Sequence, residues 1–504
     1  MGTLIAKITS ESSIGYGVNI LEMAPPGVIA GIKSNKVGCV ADLPWGPLNT
    51  LTDITSAAEL FGTFCPSVFD AADDYVAMKV FLNKTFPGGL KICRIAASSV
   101  ASAKASRQAT AGTGTITVTA KYVGAVGNKI YAQWIAATDL DAAKRNLVIT
   151  IVPASGTTYT ATYENLSFGD DFTTVIDDDY VDVADAAASA MPSVDVSAVA
   201  LSSGADGTAV AADYVGVYGS SDVGIAKFYG DSVAVGVLFV AECLASAIVA
   251  VNAGLNAYCT SNDKGVAVLC TVNGETASAA QTRVAVNRDD RCVMPWPRVN
   301  TTNFYDDDAP EVEVDGNAFV AAAIAAADPW RSPGGAASAE ALTGITSLET
   351  ESTSRTTYEA MRLLGIACFF MSTANGGAII RGGVTTSVTS GLTKIRRRRT
   401  ADYIEESIAA RLEQFAEMPI DLTLATQTLG AVTGAVYGEI AAFLENEKSA
   451  GHIADYAVDA FGGNTSSTIA AGRWVILISV QTFSDMDEIV LKANIGDAVT
   501  VSTS

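Results

Sequence analysis

His452 is the only histidine in the chain. A Ser-His-Asp triad would need it as the base, because imidazole is the side chain that takes and returns a proton near neutral pH. It follows Gly451 directly after a helical pattern, where a surface or capping role is expected of it. No serine sits in a GxSxG elbow, no phosphate loop of the form GxxxxGK followed by Ser or Thr occurs, and no GxGxxG follows a strand pattern. A single histidine also forbids HExxH. Paired carboxylates such as Asp73-Asp74, Asp289-Asp290 and Asp306-Asp307-Asp308 could serve glycoside hydrolysis, but nothing singles out one pair in so acidic a chain. Asp177-Asp178-Asp179 could hold a cation; it lacks the glycine and terminal glutamate of a calcium loop and reads as a solvated acidic loop. The eight cysteines (Cys39, Cys65, Cys93, Cys243, Cys259, Cys270, Cys292 and Cys368) form no CxxC and fit no zinc spacing. They are expected to be free, buried thiols made in a reducing compartment. These residues therefore nominate no catalytic site, no metal site and no cofactor.

The sharpest charge feature is Arg396-Arg397-Arg398-Arg399. On a strand, alternate members of the run would face opposite sides. Three partners are open to it: nucleic acid, acidic surfaces of other copies, and carboxylates of the same chain such as Glu405 and Glu406. With 54 acidic against 32 basic residues the net charge is −22. Such a field repels phosphate backbones and anionic lipid, which weighs against nucleic acid.

The elements that would carry these groups are mixed. At 504 residues and 49% hydrophobic, the chain can bury two or three cores and is not of the disordered class. Residues 1–24 have weak periodicity, end at Pro25-Pro26-Gly27 and read as an extended arm. Val37 to Val40 and Leu90–Ile95 read as buried strands, and Ser56-Ala57-Ala58-Glu59 as a capping box that opens a helix. Asp70 can cap a following helix with Val76, Val80 and Phe81 on one face. Residues 96–212 are rich in Ala, Ser, Thr, Gly and Asp, with strand alternation at Thr115–Thr119 and Leu147–Val152. Beyond them, strands at Val233–Val240 and Gly265–Cys270 alternate with small-residue helices, one near Ala318–Ala327, as in a mainly parallel sheet. Val233 to Ala253 is long enough to span a membrane, but Glu242 at its middle favours a buried strand followed by a packed helix. Ile404, Ile408, Leu412 and Phe415 make one helix face; Val432, Val436, Ile440, Phe443 and Leu444 make another, stopped by Gly451. Trp474–Val480 and Ile489–Leu491 are strand candidates. No apolar run follows Met1–Ala6, so no secretory leader is expected, and Ala6 breaks the myristoylation pattern.

Several segments, in order, resemble the sheath proteins of contractile phage tails and of phage-tail-like bacteriocins and injection systems. They are Gly46-Pro47, Ile54-Thr55-Ser56 and Phe61-Gly62; Gly88-Gly89 with Lys91–Ile95; Gly204-Ala205-Asp206-Gly207; Pro295-Trp296; and Asp328, Trp330 and Pro333. The C-terminal part adds Ile395–Arg397 with Tyr403–Ile408, then Asn464-Thr465, Ile469, Gly472, Trp474–Val480 and Glu488-Ile489.

The resemblance implies an α/β multidomain protein with mixed sheets flanked by helices, a β-rich inserted domain and extended terminal arms. Its expected division is an arm at 1–24, an inner domain of 25–95 with 385–485, an outer insertion at 96–212, a middle domain of subtilisin-like topology at 213–384, and an arm at 486–504. It implies a structural subunit rather than an enzyme, one that polymerises helically around an inner tail tube and contracts, driving the tube through the host envelope. Partners would be further copies, the tube, baseplate and terminator proteins, without direct nucleic acid, membrane insertion or cofactor. The place would be the virion tail, assembled in the bacterial cytoplasm. Strand donation between subunits would use Tyr16, Val18 and Ile20 within Tyr16–Leu21, and Ile489, Val490 and Leu491. Arg396, Arg397, Arg398 and Arg399 would make charged contacts to sister subunits or the tube. The alternatives are a tail tube or baseplate protein, or an α/β hydrolase using His452.

Overall fold

Short, continuously buried apolar runs build the centre of this protein. The computed structural model describes residues 36–69, 89–98, 102–153, 157–229, 235–262, 265–302, 311–350, 355–372 and 376–485. The helix expected after Asp70, the strand candidates at both termini and the acidic run at 306–308 lie outside them.

Residues 34–399 form one unit. Its largest sheet takes β1 (Val37–Asp42), β2 (Leu51–Ile54), β3 (Leu90–Ile95), β11 (Val237–Val240), β12 (Val266–Val268), β13 (Cys292–Trp296), β17 (Ile366–Ser372) and β18 (Gly377–Arg381). The order is β18-β17-β13-β12-β11-β1-β3-β2. The inner strands run parallel, and β2 and β18 close the ends antiparallel. Side chains of β11 alternate: Val237 and Phe239 enter one core, Leu238 and Val240 the other. Strands covered on both faces read as continuous apolar runs, which is why β1, β3, β11 and β12 were visible in sequence while β2, β13, β17 and β18 were not read. One face carries α2 (Ile248–Asn262), α3 (Ala277–Ala285) and α5 (Arg355–Leu363) through Val251, Leu255, Val284 and Met361; the other carries α1 (Ala57–Phe64) and α4 (Asn317–Ala326) through Leu60, Phe64 and Ile324.

Ser56 caps α1 as expected, its hydroxyl accepting from Glu59 N–H. The Glu59 carboxylate reaches Thr55 N–H and Oγ1 at 2.8 and 2.9 Å, one residue before the cap. The apolar stretch around Glu242 resolves into β11 and then α2, and no helix among the described residues is long and apolar enough to cross a membrane.

Between β3 and β11 two antiparallel sheets pack face to face. One has the order β10-β6-β7-β8, from β6 (Ile130–Ala136), β7 (Arg145–Ile151), β8 (Tyr159–Leu166) and β10 (Val199–Ala200). The other has the order β4-β5-β9, from β4 (Ser106–Ala111), β5 (Gly114–Ala120) and β9 (Val181–Ala186). Ile116, Val118, Val181 and Val183 meet Trp134, Leu147, Ile149 and Ile151 in a common core that also takes Trp45 and Phe69. The chain enters and leaves this sandwich side by side, with bridges Ala103–Ala205 and Ser106–Ser202. The glycine turn at Gly204 lies here: its N–H and C=O both bond the Asn128 amide, and a Cβ would stand 2.6 Å from the Gly124 carbonyl. Only glycine permits that approach. A third sheet, β15-β14-β16, comprises β14 (Val299–Thr302), β15 (Glu311–Val314) and β16 (Ile345–Leu348).

The strand order corrects the expected domain grouping. Residues 25–95 were joined to 385–485 and set apart from 213–384, but β1 is flanked by β3 and β11 in a single sheet. The chain divides instead between Arg399 and Thr400. Periodicity reveals a strand but not its neighbour, and parallel partners can be far apart in sequence.

The other unit, described over 400–485, holds the larger part of α6 (Ile395–Leu412), α7 (Ala431–Ser449), a small ladder of β19 (Leu422–Thr423) and β20 (Thr428–Leu429), and a ribbon of β21 (Asp455–Asp459) and β22 (Leu477–Gln481). Ile404 and Ile408 of α6 and Val436, Ile440, Phe443 and Leu444 of α7 are buried, as the sequence pattern required, while Val432 is half-buried. Leu412 and Phe415 are only half-buried, because α6 ends at Leu412 and a tighter turn follows. Asp421 caps α7 from outside, accepting from Val432 and Thr433 N–H; these bonds hold its carboxyl at about 2. At the other end, Gly451 N–H donates to Lys448 and His452 N–H to Glu447, a paired closure that needs Gly451 at φ +77°. Gly451→Ala should cost this unit about 1 kcal/mol, and Gly451→Asn less, since asparagine tolerates that conformation. Thermal unfolding of the two variants checks the order.

Candidate assembly interface

The four arginines open a helix, so the alternation that a strand would have imposed on them does not apply. Ile395, Arg399 and Tyr403 are buried along one face of α6 at four-residue spacing. Arg399 donates to the Ala327 carbonyl at 2.9 Å, and Arg398 stands 3.6 Å from Asp290. Nε of Arg397 is buried without a hydrogen-bond partner among the described residues. Cations at a helix N-terminus oppose the helix dipole, so this cluster favours nearby anions.

In the unit from Thr400 onward, the ribbon is the least finished element. Tyr456 pairs with Val480 and Val458 with Ile478 on the face toward α7, where the Tyr456 hydroxyl meets Glu445 and the Ala441 carbonyl. None of the ten strand residues is fully buried. Among the described residues each strand pairs only with the other. A two-stranded ribbon is marginal by itself, and its open edges are templates for further strands. The connection is firm: Asn464 exchanges bonds with Val475, and Trp474 Nε1 donates to the Ala460 carbonyl. The expected donors, Tyr16, Val18, Ile20, Ile489, Val490 and Leu491, lie outside the described residues.

The sequence-nominated chemistry is occupied by structural work. His452 Nδ1 lies 2.6 Å from Glu447 Oε2, and the Tyr403 hydroxyl donates to Glu447 Oε1 at 3.0 Å. The hydroxyl joined to this pair serves the acid rather than the imidazole, so the trio ties α6 to the end of α7. All eight cysteines are free thiols, seven of them buried; burial pushes the Cys93 thiol up to about 11, far from a reactive thiolate. Among the described residues no group of three or more His, Cys, Asp or Glu side chains could hold a metal ion.

No family model matches the sequence, and no curated protein matches it. Solved structures do. The sheath tail protein of Desulfitobacterium hafniense superposes with a TM-score of 0.59 at 16% identity, over 93% of this chain and 100% of that one. That of Listeria innocua gives 0.58 at 14%, over 90% and 96%. The helical sheath of an anti-feeding prophage in its contracted state gives 0.55 at 15%, over 97% and 99%. The chain has the tail sheath fold. The motifs that pointed to sheath proteins acquire physical reasons within it: Gly204 to Gly207 at the neck of the sandwich, Asn464 and Trp474 in the ribbon's connection, Tyr403, Ile404, Ser407 and Ile408 on the buried side of α6.

Reading the sequence missed two hubs of this sheath fold. Asp178 is not solvated with its neighbours. It is 4% exposed and accepts from the Tyr159 and Tyr163 hydroxyls and from Tyr180 and Val181 N–H. Burial, with the Asp178 charge behind it, lifts both phenols above their ordinary range. Tyr159 and Tyr163, four residues apart and so on one face of β8, were the available signal. The second hub, Arg94, donates to the carbonyls of Leu43, Gly46 and Val123. Its signal was a charge on the same strand face as Ile92.

Proposed function

We propose that this chain is the sheath subunit of a contractile tail or phage-tail-like particle. The observation that carries the reading is likeness to a contracted helical sheath over 97% of the chain. The subunit polymerises helically around an inner tail tube, and heterologous contacts that do not close give a tube of stacked subunits. Segments around Tyr16, Val18 and Ile20, and around Ile489, Val490 and Leu491, supply strands to the open edges of β21 and β22 in neighbouring copies. Such links keep the lattice connected while the larger units rearrange. Contraction is the relaxation of a metastable extended lattice rather than an enzymatic step, in keeping with the missing phosphate loop. Arg396–Arg399 serve contacts with sister subunits or the tube. Baseplate and terminator proteins bound the polymer at its ends in the virion tail, after assembly in the host cytoplasm, without nucleic-acid contact or membrane insertion.

Negative-stain electron microscopy of concentrated protein tests this. Hollow helical tubes are the expected result. Deleting 1–24 or 486–504 should leave a subunit with unchanged melting that no longer forms them. A wild-type protein that stays monomeric throughout, or truncated proteins that still form tubes, would count against the subunit role or the strand exchange respectively.

A further inference from the structure

The loop between β18 and α6 is built to present three side chains. Its neck is closed by the Val384–Lys394 bridge and by Thr385 N–H to the Thr393 carbonyl. Its first polar groups, Thr385, Thr386 and Ser387, are buried. Thr385 Oγ1 donates to Leu392 O at 2.7 Å, and Thr386 Oγ1 to Asn287 O at 2.6 Å. Thr386 N–H donates to Cys292 O at the start of β13, and Arg288 to Thr386 O. Both threonines have no exposure at all. The loop therefore cannot fold back to hide its apolar side chains, and Val388 and Leu392 stand 57% and 44% exposed. Arg397 flanks them: one terminal nitrogen lies 3.9 Å from where a Cβ on Gly391 would be, and its buried Nε has no hydrogen-bond partner among the described residues.

We propose that Val388, Leu392 and Arg397 form a preorganised docking point for a second copy of this chain. The apolar pair fills a hollow, and Arg397 forks onto a carboxylate at its rim. This rests on the self-assembly proposed above and adds the contact that it uses. A rigid apolar anchor beside an arginine is the composition of interface hot spots, and a loop already ordered loses little freedom on binding. Charge identifies the occupant. Lys394 and four arginines crowd six positions, whereas residues 400–485 carry twelve acidic against three basic residues. The acidic surface of that region, presented by another copy, complements the cationic loop.

The test uses full-length protein and sedimentation across concentration and salt. Val388→Ser with Leu392→Ser should raise the critical concentration for polymerisation at least tenfold with melting unchanged. Arg397→Ala should raise it several-fold and flatten its salt dependence, and Arg397→Lys should recover part of the loss. A benzophenone amino acid at position 392 of otherwise wild-type assembled protein should crosslink to residues 400–485 of another copy, a readout independent of whether the serine variant folds. Variants that polymerise like wild type, or crosslinks that fall elsewhere, overturn the docking point alone. Wild type that never polymerises overturns the sheath role as well.

Discussion

Arg94→Met should lower the unfolding free energy of the 34–399 unit by about 3–5 kcal/mol, a loss of the size seen when one member of a buried charged network is removed. Arg94 is 2% exposed and lies on β3. Its Nε donates to Leu43 O at 2.6 Å, and its terminal nitrogens to Gly46 O at 2.7 Å and Val123 O at 2.8 Å. The first two carbonyls belong to the link between β1 and β2; the third belongs to the sandwich. One planar guanidinium thus fixes the end of the parallel sheet to the module inserted after it. Methionine keeps much of the stem volume but leaves three carbonyls without their donor, each costing about 1–3 kcal/mol where it stays buried. Lysine retains the charge and reaches at most part of the fork, so Arg94→Lys should fall between wild type and Arg94→Met. Urea unfolding with an unchanged denaturant slope would attribute the loss to the native contact. A loss under 1 kcal/mol for Arg94→Met would mean that water replaces the arginine.

The same residue illustrates how much of the fold was legible. The run Leu90–Ile95 declared a buried strand, and Arg94 within it declared a charge that must find partners, but nothing local to β3 says that they sit at Leu43, Gly46 and Val123. Element type was readable wherever burial on one or both faces imposed a period, as in β5, β7, β11, α6 and α7. Pairing was not, which is why the β1–β3 segment was grouped with the wrong partner segment. The arginine run shows a second limit. Four identical charges carry no period, so the turn of helix that begins at Ile395 was not read; its cues were Ile395 and Tyr403 on either side, eight positions apart. The loop at Val388 and Leu392 was silent for another reason: it is shaped by backbone closures and inward threonine bonds, which leave no hydrophobic pattern.

Between pH 7.5 and 5 the wild-type protein should gain stability relative to Asp315→Asn, by about 1.4 kcal/mol. Asp315 is 2% exposed. Burial, reinforced by the neighbouring Glu242 charge, raises its carboxyl from 3.8 to about 6, although Arg298 and the bonds from Thr271 oppose the rise. Thr271 N–H and Oγ1 reach its two oxygens at 2.8 and 2.6 Å, so the carboxyl stays in place between β12 and α4 whichever form it takes. The native state then holds a proton that the unfolded chain has already released anywhere between the two values. Stability from this group is complete below about 4 and is lost as pH rises through 6, at about 1.4 kcal/mol per pH unit in between. Groups shifted the other way, such as Asp53 beside Lys36 and Lys91 and Asp421 at the cap of α7, lose their contribution only under more acidic conditions. Asp42, also raised to about 6, titrates alike in both proteins and cancels in the comparison. Asparagine cannot titrate, and its amide faces the Thr271 N–H, so the variant should be weaker than wild type throughout and weakest relative to it near pH 5. A difference that stays flat across this range, or that shrinks toward pH 5, would mean that Asp315 remains ionised and that Arg298 and Thr271 outweigh its burial.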